Sequence, residues 1–122
     1  MAGDWIAIRT KLGTNPKTIR IANELDLPAP HVVGLLVALW GWGDEFADED
    51  GNVPGVSFDD ISRVVGVEGF ALAVSRVGWL DAYSTKSGIR GVKFPDWEEY
   101  MSQSAKRRLQ EARKKRRQRR QS

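Results

Sequence analysis

SFDDISRVVGVEGFALAVSRVGWLDAYSTKSGIRGVKF, residues 57–94, is the stretch on which the fold turns. Ser57-Phe58-Asp59-Asp60 resembles a capping box, with Ser57 as N-cap and Asp60 three residues on. Ile61, Val64 and Val65 follow at helical spacing, and Gly66-Val67 turns the chain. A second helix carries Phe70, Leu72, Ala73, Val74 and Val77, and Gly78 can close it. Two short helices about a tight glycine turn make a helix-turn-helix pattern. Residues 79–83 then read as a strand, 84–88 as a turn and 89–94 as the return strand. That order is a winged helix, with the hairpin as its wing and Lys86, Arg90 and Lys93 as the wing's positive charge.

Upstream, residues 4–9 alternate, carrying Trp5, Ile6 and Ile8, and read as an extra N-terminal strand. Asn15-Pro16 starts an extra helix: Asn15 can cap, and Pro16 suits the first helical position. Ile19, Ala22 and Leu25 mark its apolar face, and Leu27-Pro28-Ala29-Pro30 breaks it. From Pro30 to about Phe46 apolar residues fall on nearly every face, which places this helix in the middle of the domain. Gly34, Gly41 and Gly43 each weaken it by about 1 kcal/mol relative to alanine, and are expected to permit close approach by neighbours. Asp48-Glu49-Asp50-Gly51-Asn52 is an acidic turn.

Downstream, Pro95-Asp96-Trp97-Glu98-Glu99 opens a last helix, with Asp96 as cap, Glu99 reaching back, and Trp97, Met101 and Ala105 on the docking face. After Ala112 no apolar stripe remains. A helix from Asp96 to Arg120 would span roughly 37 Å at about 1.5 Å per residue, and its distal half is expected to fray without a polyanion. The fold class is therefore α+β, a winged-helix domain over residues 4–94 and a long basic C-terminal helix and tail over 95–122.

The net charge of +3 hides two opposed numbers. Residues 1–104 hold 9 Lys/Arg and 15 Asp/Glu, a charge of −6, whereas residues 105–122 hold 10 Lys/Arg and one acid, a charge of +9. The tail cations are Lys106, Arg107, Arg108, Arg113, Lys114, Lys115, Arg116, Arg117, Arg119 and Arg120. Seven of the ten are arginine, which suits phosphate forks. Such a split points to a polyanionic partner: DNA first, with RNA as an alternative. The second helix of the pair offers Glu68, Ser75 and Arg76, few donors for base edges, so DNA affinity is expected to rest on tail and wing.

The remaining composition excludes several chemistries. The chain has 122 residues, 41% apolar, with no cysteine and one histidine, His31. A disulfide framework, a thiol nucleophile, a thiolate zinc site and a multi-histidine metal centre all fall away. Placing Gly51 at position 6 of a calcium loop puts Phe46 and Ser57 where carboxylates are needed, so Asp44, Glu45, Asp48, Glu49 and Asp50 form a solvated acidic loop that would repel DNA and orient the protein. Gly51, Gly55, Gly66 and Gly69 match no phosphate-loop spacing. No catalytic residue, metal ligand or cofactor is assigned, and the chain reads as a non-enzyme. Trp40, Trp79 and Trp97 are expected in the core, while Trp5 and Trp42 remain open to base stacking. No long uncharged apolar run suggests a membrane segment, so the expected location is the cytoplasm.

Asn15-Pro16-Lys17-Thr18-Ile19-Arg20-Ile21-Ala22, Pro30-His31-Val32-Val33-Gly34-Leu35-Leu36-Val37, Leu39-Trp40, Gly69-Phe70, Val77-Gly78-Trp79-Leu80 and Pro95-Asp96-Trp97-Glu98-Glu99-Tyr100 together resemble the N-terminal region of phage and prophage replication proteins. These are the replisome-organiser and DnaD-like initiators. The resemblance spans most of residues 5–120 and implies a winged-helix fold, origin binding, and help in assembling the primosome or loading the replicative helicase in the bacterial host cell. Two other readings use the same residues: a winged-helix transcriptional regulator, and a protein-interaction adaptor of the replisome. Homo-oligomerisation is left open.

Overall fold

Local capping fixes where the chain begins to coil. The computed structural model describes residues 11–98 and 112–116. A 3-10 turn over Leu12–Thr14 buries Leu12 and leads to Asn15, whose side chain accepts from the Lys17 N–H at 2.9 Å. Helix α1, Pro16–Leu25, therefore starts at the cap the sequence predicts, with proline in its first turn. Asp26 ends it in the left-handed region (φ 53°). The buried face differs from the expected one at Ile19. Thr18, Ile21 and Ala22 are buried, whereas Ile19 is 43% exposed. Of the expected face, Ala22 is buried and Leu25 packs half-buried against the core; Thr18, at 0% exposure, takes the place of Ile19.

The chain turns through 102° into helix α2, Ala29–Phe46. Val32, Leu35, Leu36, Leu39 and Gly43 form its buried seam. Its other side is not covered, for Val37 and Phe46 are exposed. The helix is thus one-sided, and the expectation of all-round burial is corrected. The expectation of close approach holds at Gly43 only, because a Cβ at Gly34 or Gly41 would meet nothing within 4 Å.

After α2 the acidic turn closes on one carboxylate. Asp48 Oδ1 accepts from the N–H groups of Asp50 (2.9 Å) and Asn52 (3.0 Å). Strand β1, Asn52–Pro54, follows, where the sequence pattern carries no strand signal. Helix α3 is Phe58–Val65 and helix α4 is Phe70–Arg76, joined through Gly66 (φ 79°). Of the expected α3 stripe, Ile61 is buried but Val64 is 60% exposed; of the α4 stripe, Leu72 is 46% exposed. The buried Ser62 hydroxyl instead accepts from the Ala71 N–H at 3.1 Å and pins α4 to α3.

Strands β2, Asp81–Ser84, and β3, Arg90–Lys93, form the expected hairpin. The sheet is antiparallel, in the order β1-β3-β2. Val53, Val92 and Ala82 stand at one register level. The helices and the sheet share one core, with Ile21, Val32, Leu36, Leu39, Ile61, Phe70, Val74, Leu80 and Val92 at most 1% exposed. The architecture is a small α+β domain, as expected.

The chain leaves the sheet through Phe94 and a turn at Pro95-Asp96, where Asp96 takes φ 57° instead of the extended backbone usual at a helix cap. Trp97 begins a helical turn and is buried. The N-terminal strand expected over 4–9, together with Trp5, Glu99, Met101 and Ala105, lies outside the described residues.

Candidate nucleic-acid interface

The hairpin carries the three expected wing cations, but not as one patch. Lys86 stands at the tip, and Arg90 and Lys93 are exposed on β3. Strand alternation sends Arg90 to the Val92 side and Lys93 to the Gly91 side. On the Gly91 side Lys93 is in register with Asp81. On the other side Arg90 lines an open depression of about 650 Å³ between hairpin and α3, with Val56, Phe58, Asp59, Asp60 and Ala82. A guanidinium thus shares this depression with two carboxylates.

One of those carboxylates is committed to the helix start. Asp60 Oδ2 accepts from the Ser57 N–H at 3.0 Å, while Ser57 Oγ accepts from the Asp60 N–H at 3.1 Å, which completes the predicted capping box. The Ser57 N–H, then the Ser57 hydroxyl and the nearby Arg63 charge, hold the Asp60 carboxyl below its ordinary 3.8, against a smaller opposing effect of desolvation.

The tip itself is closed by its own polar groups. The Thr85 N–H donates to the Ile89 carbonyl at 2.8 Å, and the Gly88 N–H to the Thr85 carbonyl at 3.0 Å. Thr85 Oγ1 accepts from the Ile89 N–H at 3.1 Å and lies 2.9 Å from Ser87 Oγ.

Arg76, the cation expected on the second helix of the pair, is bonded to Glu24 of α1. No local pattern signals this pair, since the partners lie 52 residues apart. The outer side of α4 is left with Leu72, the half-buried Ser75 and this paired guanidinium.

Of the tail, Arg113, Lys114, Lys115 and Arg116 are exposed and, with Ala112, helical. Lys106, Arg107, Arg108, Arg117, Arg119 and Arg120 lie outside the described residues.

The tryptophans divide. Trp97 is buried beside Phe94, with ring centroids 5.4 Å apart. Trp40 and Trp79 pack edge to face at 5.8 Å, half-buried, with Lys17 Nζ over the Trp79 ring at 5.7 Å. Trp42, also half-buried, sits between Phe46 and Phe94. His31 is exposed on the first turn of α2. Among the described residues no group of three or more His, Asp or Glu is placed to hold a metal ion. Nor is any single helix among them long and apolar enough to cross a membrane. No protein-family model, curated protein or solved structure matches the chain.

Proposed function

We propose that the chain is a winged-helix DNA-binding protein of phage or prophage replication initiation, acting at an origin in the host cytoplasm during primosome assembly or helicase loading. It is read as a non-enzyme whose partners are DNA and a replisome protein. The order α2-β1-α3-α4-β2-β3, with β3 between β1 and β2, supports the winged-helix part. The observation that carries the DNA-binding part is the charge split, +9 over residues 105–122 on a body of −6. Such a tail gains free energy by releasing counterions from a phosphate chain, while an anionic body keeps the rest of the surface off it.

Lys106, Arg107, Arg108, Arg113, Lys114, Lys115, Arg116, Arg117, Arg119 and Arg120 supply phosphate contacts, with Lys86, Arg90 and Lys93 on the wing. Arg76, expected among them, is held by Glu24 and lies outside this set. A replisome-adaptor role draws on a different observation, the exposure of Val64 and Leu72 on the helix pair.

The test is binding of the full chain to matched duplex, single-stranded and RNA probes through a salt series. If about six tail cations meet duplex phosphates, log K falls against log salt with a slope of roughly −5. Replacing the ten tail cations with glutamine should abolish binding at physiological salt. Undiminished binding by that variant would overturn the reading.

A further inference from the structure

We propose that the chain meets duplex DNA through the tip of the β2-β3 hairpin, with Ile89 as an apolar wedge in the minor groove, and not through α4 in the major groove. This rests on the DNA-binding reading above and specifies its geometry.

The case begins with what α4 lacks. Phe70, Ala71, Ala73 and Val74 of its seven residues are buried. Leu72 offers no hydrogen bond, and Arg76 is held by Glu24. Glu68, just ahead of the helix, is exposed. Reading the major groove takes directed donors and acceptors, and carboxylates beside the helix repel the phosphates that frame it.

The hairpin has the opposite character. Its outer part, residues 82–93, carries Lys86, Arg90 and Lys93 and no acid; Asp81 stands at its base in register with Lys93, and Asp59 and Asp60 share the depression with Arg90, which leaves Lys86 beside Ile89 at the tip. Ile89, 49% exposed, stands beside Arg90 and three residues from Lys86. The hydroxyls of Thr85 and Ser87 are turned to each other, and Thr85 also accepts from Ile89. They close the turn and are not spare for base edges. A tip ordered beforehand loses little freedom on docking. An apolar side chain flanked by cations is the composition that enters minor grooves, the apolar group against the base step and the cations toward the phosphates on either rim.

The test uses the full chain and a short labelled duplex through a salt series. Ile89→Ala should weaken binding about tenfold, the loss of part of one apolar side chain's burial, with the salt slope unchanged. Ile89→Lys should also weaken it, despite its added charge. A minor-groove-binding bis-amidine should displace the protein, and Leu72→Ala and Arg76→Ala should bind as the parent does. Parent-like affinity of Ile89→Ala, tighter binding by Ile89→Lys, a larger loss in the α4 variants, or displacement only by a major-groove dye would each overturn this inference and leave the proposed function standing. A parent chain that binds no duplex would overturn both.

Discussion

The ring of Phe94 occupies the space that a side chain at Gly43 would fill. A Cβ on Gly43 would stand 2.7 Å from Phe94 Cζ and 2.8 Å from Cε2. Both residues are buried, and the ring is flanked by Trp42 at 6.5 Å and Trp97 at 5.4 Å between centroids. The last turns of α2 and the end of β3 therefore meet through an aromatic face laid on bare backbone.

Substitution at this contact should separate it from the other two glycines of α2. Gly43→Ala must displace a confined ring, and is expected to cost about 1–3 kcal/mol in chemical denaturation. Gly34→Ala and Gly41→Ala meet open space and should stabilise by up to about 1 kcal/mol through helix propensity. Equal effects at all three positions would contradict the Gly43–Phe94 packing.

Gly91 is the corresponding point in the sheet. A Cβ there would strike the Val53 carbonyl, the Tyr83 ring (2.8 Å) and the Pro54 Cα (2.9 Å). Two of these three are backbone and cannot swing aside. Gly91→Ala should lower stability by about 3 kcal/mol. Amide exchange would show the loss first as deprotection of Gly55, whose N–H donates to the Arg90 carbonyl at 2.8 Å.

The capping box gives a pH signature. The Asp60 carboxyl is held below 3.8 by Ser57, so the folded state favours its ionised form. Its contribution is complete above 3.8 and is lost as pH falls through the lower folded value. An acid titration of stability should therefore show this component only below 3.8, and Asp60→Asn should remove it. Ser57→Ala should cost about 1 kcal/mol at neutral pH, as the loss of an N-cap does.

Glu24→Gln tests whether Arg76 is structural. The arginine side chain is 62% exposed, so breaking the pair should change stability by less than about 1 kcal/mol. If the hairpin and not α4 meets DNA, as proposed above, duplex affinity should stay unchanged when the cation is freed. A marked gain in affinity would instead make Glu24 a brake on α4.

Features set by neighbours in sequence were legible. Asn15-Pro16, the Ser57/Asp60 box and the glycine turn at Gly66 act within four residues, and the structure shows each of them. The hairpin was legible because its turn closes on itself between Thr85 and Ile89. Strand β1 was not, because three residues carry too little pattern, and its partner is β3, about forty residues on. On α1, Ala22 and Leu25 were legible, but the burial of Thr18 in place of Ile19 was not, because a threonine carries no apolar signal. Of the candidate site, the cationic tail and wing were visible as composition. The separation of Arg90 from Lys93 by strand pleat and the capture of Arg76 by Glu24 depend on tertiary neighbours that no local window contains.

The indole of Trp97 rests on Gly51, where a Cβ would come within 2.6 Å of it, and the Gly51 carbonyl accepts from the Phe94 N–H at 2.9 Å. The polypeptide thus departs from an anchored rivet and not from a slack tether. A pull on the chain beyond Trp97 is borne first by the rim of the sheet and the acidic bend beside it.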